Sequence, residues 1–189
     1  MGLFSEWFLG RHLALDSNQV PLNLGQIFDH LSASALEQPQ VWVLRDFHSR
    51  NLMRVTQHNP GVLDFQDAVL GPITYDLVSL LRDCYISWPE QQVNDWALAY
   101  RQRLIAGGQL AATVSEQQFL RWFDLMGVQR HLKAIGIFAR LNHRDNKPGY
   151  LADIPRTLAY VIQVSQRHAP LQDFGQWLAE QIQPRLETP

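Results

Sequence analysis

Apolar residues recur at helical spacing through the first forty residues of the chain. One such face falls in residues 3–14 and a second in residues 24–31, and Pro39 marks the end of the second helix. Since the chain starts directly with a face that must pack against something, we expect further protein upstream of it. The inward positions are Leu3, Phe4, Trp7 and Phe8, followed by Leu24, Ile27, Phe28 and Leu31.

Three short apolar runs follow, with the composition of β-strands. Residues 41–44 form a fully apolar run rich in Val, which predicts a buried strand. Residues 51–55 and 62–65 predict two more strands, and residues 57–61, which contain Pro and Gly, predict the turn between them. The second and third strands can therefore pair as an antiparallel hairpin.

From residue 73 onward the pattern is helical. Residues 77–84 carry one apolar face, and residues 87–90 (SWPE) have the spacing of a capping box at the start of the next helix, which ends at Gly107 and Gly108. One further helix is predicted to start near residue 113, and another covers residues 128–142 and is followed by a break at 148–149. Two closing helices are predicted over residues 153–166 and 171–183. The chain is thus predicted to be one domain, residues 1–189, mainly α with a small antiparallel β element. The helix that starts at residues 87–90 places five apolar residues on one face: Val93, Trp96, Ala97, Tyr100 and Leu104.

Composition narrows the class of protein. The apolar fraction is 46%, which is enough for a packed core, and no apolar run approaches the length of a membrane span. A formal charge of −2 favours neither nucleic acid nor an anionic membrane as a partner. The single cysteine excludes an internal disulfide framework. We therefore expect a cytoplasmic protein that binds neither nucleic acid nor a membrane.

Two carboxylates and an amide stand at spacings typical of phosphoryl-transfer enzymes. Asp46 and Asn51 lie five positions apart, directly after the first predicted strand, and Asp64 ends the third. In such sites one carboxylate orients the attacking hydroxyl, while an amide and a second carboxylate hold the magnesium ions that neutralise the moving phosphate. The predicted hairpin would bring these residues together, so the pattern points to a phosphotransferase.

The segments around these residues resemble the aminoglycoside phosphotransferase family, which has the protein-kinase-like fold. The resemblance rests on residues 43–53 (VLRDFHSRNLM) and 61–83 (GVLDFQDAVLGPITYDLVSLLRD). It continues through residues 123–133 (FDLMGVQRHLK) and 136–151 (GIFARLNHRDNKPGYL), where it is similar to the bacterial kinases that phosphorylate N-acetylmuramate and N-acetylglucosamine at the anomeric hydroxyl. Only the C-terminal lobe of such an enzyme is covered.

The resemblance implies roles for residues of the first two segments. Asp46 would be the catalytic base, Asn51 and Asp64 would bind Mg²⁺, and ATP would be the phosphate donor. Magnesium prefers hard oxygen ligands of this kind. Asp76 would brace the catalytic loop through backbone N–H groups. His48 would lie beside the attacked hydroxyl or stabilise the loop by a hydrogen bond, and Arg50 is assigned with it to substrate binding.

Two positions depart from the family pattern. The family usually has His two positions before the catalytic Asp, and this chain has Leu44 there. Because that His forms hydrogen bonds within the catalytic core, we expect its loss to loosen the loop without removing the base. Gln66 stands where protein kinases have Gly, a position that varies among aminoglycoside-type kinases.

A row of basic residues lies on one face of the helix predicted beyond residue 128. Such a row could bind an anionic group of the substrate, such as a lactyl carboxylate, or it could form a solvated face with ion pairs to Asp124 or Asp145. Tyr150, after the break at 148–149, is a candidate for stacking on a sugar. The row comprises Arg130, Lys133, Arg140 and Arg144, of which Arg130 and Arg140 are assigned to substrate binding.

The sequence lacks the motifs by which kinases clamp ATP. Its only lysines are Lys133 and Lys147, and it has no Gly-rich phosphate loop, although both features precede the catalytic loop in kinases. We therefore expect the N-terminal nucleotide lobe to be absent and the chain alone to be catalytically incomplete. Three possibilities remain open: the lobe of an amino-sugar kinase, the lobe of an aminoglycoside or choline-like kinase, and a non-catalytic remnant that binds a partner. Its exposed lobe face could also support a homodimer.

Overall fold

The computed structural model describes residues 2–187. Within this range the chain forms two compact units, each of which is described by itself. The central unit is Ala33–Gly127, and the terminal unit consists of the residues up to Ser32 and those from Val128 onward. The predicted class, mainly α with small antiparallel β elements, is confirmed. Among the described residues no helix is both long and apolar enough to span a membrane.

The terminal unit is helical. Its first element, Phe4–His12, is a π-helix in which the backbone N–H of Leu13 donates to the carbonyl of Phe8 at 2.9 Å, so the predicted helix is present with a wider turn. Helix α1 (Leu24–Leu36) and helix α4 (Glu116–Asp145) each have residues in both units. The remaining elements are a 3₁₀ segment (Pro148–Asp153), α5 (Ile154–Ser165), α6 (Gln172–Trp177), a π-helical segment (Leu178–Ile182) and α7 (Gln183–Glu187).

The N-terminal helix crosses α4 at very close range. A Cβ atom on Gly136 would lie 2.5 Å from the carbonyl carbon of Leu3 and 2.6 Å from the backbone nitrogen of Phe4. Phe4 is fully buried, and so is Ile135 next to the glycine. The absence of a side chain at position 136 is therefore what lets the two backbones approach.

We expect Gly136→Ala to destabilise the protein by about 2–3 kcal/mol, because the added methyl group meets backbone atoms that cannot rotate away. This cost exceeds the gain of roughly 1 kcal/mol that Ala usually brings to a helix. Urea unfolding measures the difference. Gly25→Ala is the matched control, since Gly25 lies in α1 with no atom near its added Cβ and should be neutral or stabilising. Equal stability of the two variants would show that the close approach is absent.

Two antiparallel pairs of strands build one side of the central unit. Strand β1 (Gln40–Val43) pairs with β4 (Val69–Pro72), with Val43 opposite Val69. Strands β2 (Leu52–Met53) and β3 (Gly61–Val62) form the predicted hairpin, with Leu52 opposite Val62. The sequence pattern does not predict β4, because a four-residue strand that ends in Gly-Pro has neither the alternation nor the length of a recognisable strand. Its partner is separated from it by 25 residues of loop and hairpin.

The prediction that the first strand is buried is wrong for Trp42. Trp42 is 74% exposed and its cross-strand partner Leu70 is 62% exposed, whereas Val43 is 2% exposed. The two-stranded sheet therefore turns one face to the core of the unit and leaves an apolar face uncovered. An all-apolar run predicts burial on both faces, and here only one face is covered.

The helices of the central unit enclose its hydrophobic core. Helix α2 (Tyr75–Leu81) and helix α3 (Glu90–Ala106) lie beside the first part of α4. Gly107 ends α3 as predicted, but the predicted capping box is wrong, because Pro89 is the N-cap and no side chain caps the helix. The core is formed mainly by Ile73, Val78, Leu81, Val93, Ala97, Leu104, Phe119, Trp122, Phe123 and Met126.

Helix α4 is longer than the sequence suggested. The segments predicted to start near residue 113 and at residue 128 form one helix of 30 residues. Gly127 lies inside it, since a single glycine costs a helix only about 1 kcal/mol and does not end it.

Candidate active site

The loop after β1 is held by a carboxylate from helix α2. Asp76 accepts hydrogen bonds from the backbone N–H of Leu44, at 2.6 Å, and of Arg45, at 3.1 Å. Arg45 has a φ of +73°, a left-handed conformation that is uncommon outside glycine and needs support from its surroundings. Asp76 supplies that support, so the backbone that leads into Asp46 has a fixed conformation.

Asn51 is tied to Asp46 by its side chain. The Nδ2 group of Asn51 donates to the backbone carbonyl of Asp46 at 2.9 Å. Since Nδ2 is used within the loop, the Oδ1 atom is the one available to a ligand. No hydrogen bond of the Asp46 carboxylate is found in the described part of the chain, so this carboxylate is open to a substrate hydroxyl.

The hairpin places Asp64 beside Asn51. The backbone N–H of Leu63 donates to the carbonyl of Asn51 at 2.9 Å, directly beyond the β2–β3 pairing, and Asp64 is the next residue. Asp64 has a φ of +57° and is exposed, and Gln66 donates to its Oδ1 at 2.5 Å. The three residues singled out in the sequence therefore occupy one contiguous stretch of backbone.

The donors at this place are suited to a hard divalent cation. Asn51 offers an amide oxygen and Asp64 offers a carboxylate, which are oxygen ligands of the kind magnesium takes together with phosphate oxygens and water. Within residues 2–187 there is no group of three or more His, Cys, Asp and Glu side chains that could hold a metal ion by themselves. The donor set thus fits a cation shared with a phosphate ligand rather than a metal site built from protein alone.

A second carboxylate supports the loop, and sequence analysis missed it. Asp83 is 2% exposed and accepts hydrogen bonds at 2.8 Å from the backbone N–H groups of Ser49 and Tyr85. Its only signal in the sequence is its place seven residues after Asp76, at the end of the same apolar run. Asp76 therefore holds the start of the loop, and Asp83 holds its middle.

Tyr85 is another residue of the site that sequence analysis missed. Its ring packs edge-to-face against His48, with centroids 5.5 Å apart, and the guanidinium carbon of Arg50 lies 3.5 Å from its centroid. Both residues assigned to the substrate thus share one aromatic support. The Nδ1 atom of His48 is buried and has no hydrogen-bond partner among the described residues, so the alternative of a loop-stabilising bond from that atom is not observed.

The carboxylate of Asp76 also influences the pKa of Tyr100 in helix α3. Burial raises the pKa of the Tyr100 hydroxyl, and the nearby Asp76 carboxylate raises it further. Tyr100 is therefore neutral across the physiological range and does not compete as a second anion.

The basic row lies on α4 in the terminal unit. Arg144 forms a two-bonded ion pair with Asp145, at 2.8 and 3.0 Å, and the hydrogen bond from Arg144 lowers the pKa of that carboxyl. Ion pairing is thus confirmed for Arg144 with Asp145. The Asp124 carboxylate is 2.7 Å from Arg82 in the central unit, and its pairing with the basic row stays a prediction.

The other candidates of the terminal unit are partly buried. The Nε atom of Arg140 is buried without a hydrogen-bond partner in the described residues. Tyr150 stacks on Phe138, with centroids 5.8 Å apart and ring planes 16° apart, so one of its faces is already used. Arg130 and Lys133 are half-buried on the same helix. These residues stay predictions for substrate binding.

Comparison with known proteins identifies a family of phosphotransferases and relatives that are named as sugar kinases. Residues 2–113 match the model of the phosphotransferase enzyme family. The chain is 49% identical over 179 residues to an N-acetylmuramate/N-acetylglucosamine kinase of Pseudomonas putida, and 47% identical over 178 residues to the Pseudomonas aeruginosa protein of the same name; each match covers 94% of this chain and 52% of the relative.

A third relative extends the match to the whole chain. It is the Neisseria meningitidis protein with the same name, 48% identical over 193 residues, with 100% of this chain and 56% of the relative covered. The chain spans about half the length of the curated relatives it matches.

Proposed function

Since the chain belongs to the phosphotransferase enzyme family, we propose that it forms the substrate- and metal-binding lobe of an ATP-dependent amino-sugar kinase. The substrates would be N-acetylmuramate and N-acetylglucosamine. The observation that carries the proposal is the linkage of Asp46, Asn51 and Asp64 through one hydrogen-bonded loop and hairpin. The names of relatives that are 47–49% identical support the choice of substrate.

In the proposed reaction, Asp46 accepts the proton of the anomeric hydroxyl. The hydroxyl oxygen forms a bond to the γ-phosphorus of ATP, the bond from that phosphorus to the β–γ bridging oxygen breaks, and ADP leaves. The free carboxylate of Asp46 suits this role because no other described residue engages it. Its position is fixed through its own backbone, which is bonded to Asn51.

Asn51 Oδ1 and the Asp64 carboxylate are the proposed magnesium ligands. Bound there, magnesium would neutralise charge on the transferred phosphate. The hydrogen bond from Gln66 to Asp64 orients the carboxylate and leaves its second oxygen for the cation.

Asp76 and Asp83 both support the catalytic loop of this chain, which lacks the histidine that usually helps to support it in the family. Leu44 replaces that histidine, yet its backbone N–H is held by Asp76, and Asp83 holds Ser49 three residues beyond Asp46. A carboxylate that accepts backbone N–H bonds forms charge-assisted bonds, which are about twice as strong as neutral ones. The expectation of a loosened loop is therefore opposed by these contacts.

The substrate contacts proposed for the central unit and those proposed for the terminal unit rest on separate observations. His48 and Arg50, supported by Tyr85, are the proposed contacts near the attacked hydroxyl. Arg130 and Arg140 are proposed for the lactyl carboxylate of N-acetylmuramate, since guanidinium groups bind carboxylates by paired hydrogen bonds. Tyr150 is proposed to contact the sugar through the face that Phe138 leaves open.

The residues that clamp ATP are proposed to lie in a nucleotide lobe beyond this sequence, as the greater length of the relatives allows. On this proposal the chain alone binds metal and sugar without turning over. We place the complete kinase in the cytoplasm, where ATP is available. The exposed face around Trp42 and Leu70 is the surface through which a homodimer is proposed.

The test compares two proteins. One is the 189-residue chain, and the other, called the extended chain, has the unmatched half of the Pseudomonas putida relative fused to its N-terminus. Each receives Mg·ATP with N-acetylmuramate, N-acetylglucosamine, an aminoglycoside or choline, and ADP release is measured by a coupled assay. We expect the extended chain to phosphorylate the two amino sugars and the 189-residue chain to phosphorylate none.

Other outcomes would change the proposal in defined ways. Preference for the aminoglycoside or choline would reassign the substrate class. Turnover by the 189-residue chain would contradict the need for a further lobe. An inactive extended chain that unfolds cooperatively would favour a non-catalytic binding module.

A further inference from the structure

An apolar groove opens beside the catalytic loop in the central unit. Its volume is about 380 Å³, and its walls come from Leu52 at the start of β2, Leu80 in α2 and Ile86 in the segment before α3. Two tryptophans, Trp88 and Trp96, complete it. None of the roles assigned above uses this groove.

The two tryptophans form a corner rather than a flat platform. Their ring centroids are 5.4 Å apart and their planes meet at 81°. Both remain open to solvent, with 40% of Trp88 and 37% of Trp96 exposed. The periodicity of α3 predicts Trp96 on the buried face, so its partial exposure is a departure from the pattern. Perpendicular indoles above aliphatic side chains enclose a small apolar group better than an extended flat one.

The groove borders the loop that carries the proposed catalytic base. Ser49, whose backbone is held by Asp83, lines the groove and lies three residues after Asp46. Because three residues span at most about 11 Å of extended chain, the wall of the groove at Ser49 lies within that distance of the Asp46 backbone. Any group that binds there must be attached near the reacting carbon of the sugar.

We infer that this groove binds the methyl end of the acetamido group that N-acetylmuramate and N-acetylglucosamine share. This inference rests on the proposed function. In both sugars the acetamido group is on the carbon next to the anomeric carbon, which places its methyl beside the reacting oxygen. Apart from Ser49 the side chains that line the groove are apolar, as a methyl site requires, and none of them carries a charge that would bind a lactyl carboxylate.

The subsite would make the enzyme prefer acetylated sugars. Removing one small apolar group from a matched pocket usually changes kcat/KM by roughly 10- to 200-fold. For the extended chain we therefore expect kcat/KM for N-acetylglucosamine to exceed that for glucose by at least about tenfold. Trp96→Ala should remove most of this ratio, because it opens one side of the corner, and Trp88→Ala should act in the same direction.

The matched control is Leu36→Ala, an exposed apolar residue of the same unit at the end of α1, outside the groove. It should leave the ratio unchanged. A binding measurement complements the kinetics: saturation-transfer NMR on the extended chain without ATP should give the acetamido methyl the strongest signal among the protons of N-acetylglucosamine. Trp96→Phe, which keeps an aromatic wall, should preserve most of the ratio and of the methyl signal.

The outcomes separate this inference from the proposed function. If sugars are phosphorylated but Trp88→Ala and Trp96→Ala keep the full preference, the groove is not the acetamido subsite and the kinase assignment stands. If a ring proton gives the strongest NMR signal instead of the methyl, the inference is likewise overturned. If no sugar is phosphorylated, the proposed function fails, and a weak methyl signal would then overturn the subsite as well.

Discussion

Asp46→Asn should lower kcat for sugar phosphorylation by the extended chain by about 10³-fold, with little change in KM for the sugar. General base catalysis contributes roughly 10²- to 10⁴-fold in enzymes, and an amide cannot accept the proton. The substitution keeps the shape of the side chain, and the hydrogen bond from Asn51 goes to the backbone carbonyl of residue 46, so the loop should keep its conformation. Steady-state kinetics with coupled detection of ADP measures the change.

The control is Asp95→Asn, an exposed residue of α3 whose carboxylate is bonded only to Gln91 among the described contacts. It should leave both constants unchanged. A large rise in KM for Asp46→Asn, with kcat maintained, would assign Asp46 to binding rather than to proton transfer.

Arg82→Met should destabilise the protein by about 3–5 kcal/mol, which is the usual cost of breaking a buried ion pair from one side. The Arg82 and Asp124 side chains are 4% and 14% exposed and are joined at 2.7 Å. The guanidinium carbon also lies 4.7 Å from the Phe123 ring centroid. Methionine would fill the space and leave the mostly buried Asp124 carboxylate without the Arg82 guanidinium. Urea unfolding of the 189-residue chain measures the loss.

Arg121→Met provides the comparison, because Arg121 pairs with Glu37 at 2.6 Å at the surface, with side-chain exposures of 32% and 42%. Such a pair is worth about 0–1 kcal/mol. Combining Arg82→Met with Asp124→Leu should recover much of the loss, since no uncompensated charge would remain. A loss for Arg82→Met as small as that for Arg121→Met would mean that water reaches the Arg82–Asp124 pair.

The centre of the proposed site could be predicted from sequence because its members are close along the chain. Asp46, Asn51 and Asp64 fall within nineteen consecutive residues, and a turn with Pro and Gly predicts the hairpin that joins them. The spacing of the three residues along the chain was enough to predict that they lie close together. Their proposed chemical roles came from the resemblance to a family, and the comparison with known proteins supports that resemblance.

The supports of the site could not be predicted in the same way. Asp83 reaches Ser49 across 34 residues, and Arg82 pairs with a residue of another helix. A buried acid and a buried base at the end of an apolar run look the same in sequence as a solvated helix end. Only the packing of α2 against α4 decides that they are buried. The sequence pattern by itself did not suggest the contacts of Asp76 with the loop backbone, which were expected only through the resemblance.

Exposure of apolar residues was the other feature that the pattern could not give. Trp42, Leu70 and Trp96 all belong to apolar patterns, yet each is substantially exposed. Apolar periodicity reports which residues can be buried, whereas the elements that surround them decide which are. Those exposed residues lead to the proposed interface and to the groove beside Ser49.

The most direct test of the phosphoryl-transfer centre is a ³¹P NMR measurement of the product. The extended chain is incubated with Mg·ATP and N-acetylmuramate, and the same reaction is run with Asp46→Asn. We predict that a sugar phosphate resonance and ADP accumulate in equal amounts with the unchanged sequence, and that the sugar phosphate is undetectable over the same time with Asp46→Asn. Equal accumulation of the sugar phosphate in both reactions would contradict the assignment of Asp46 as the base.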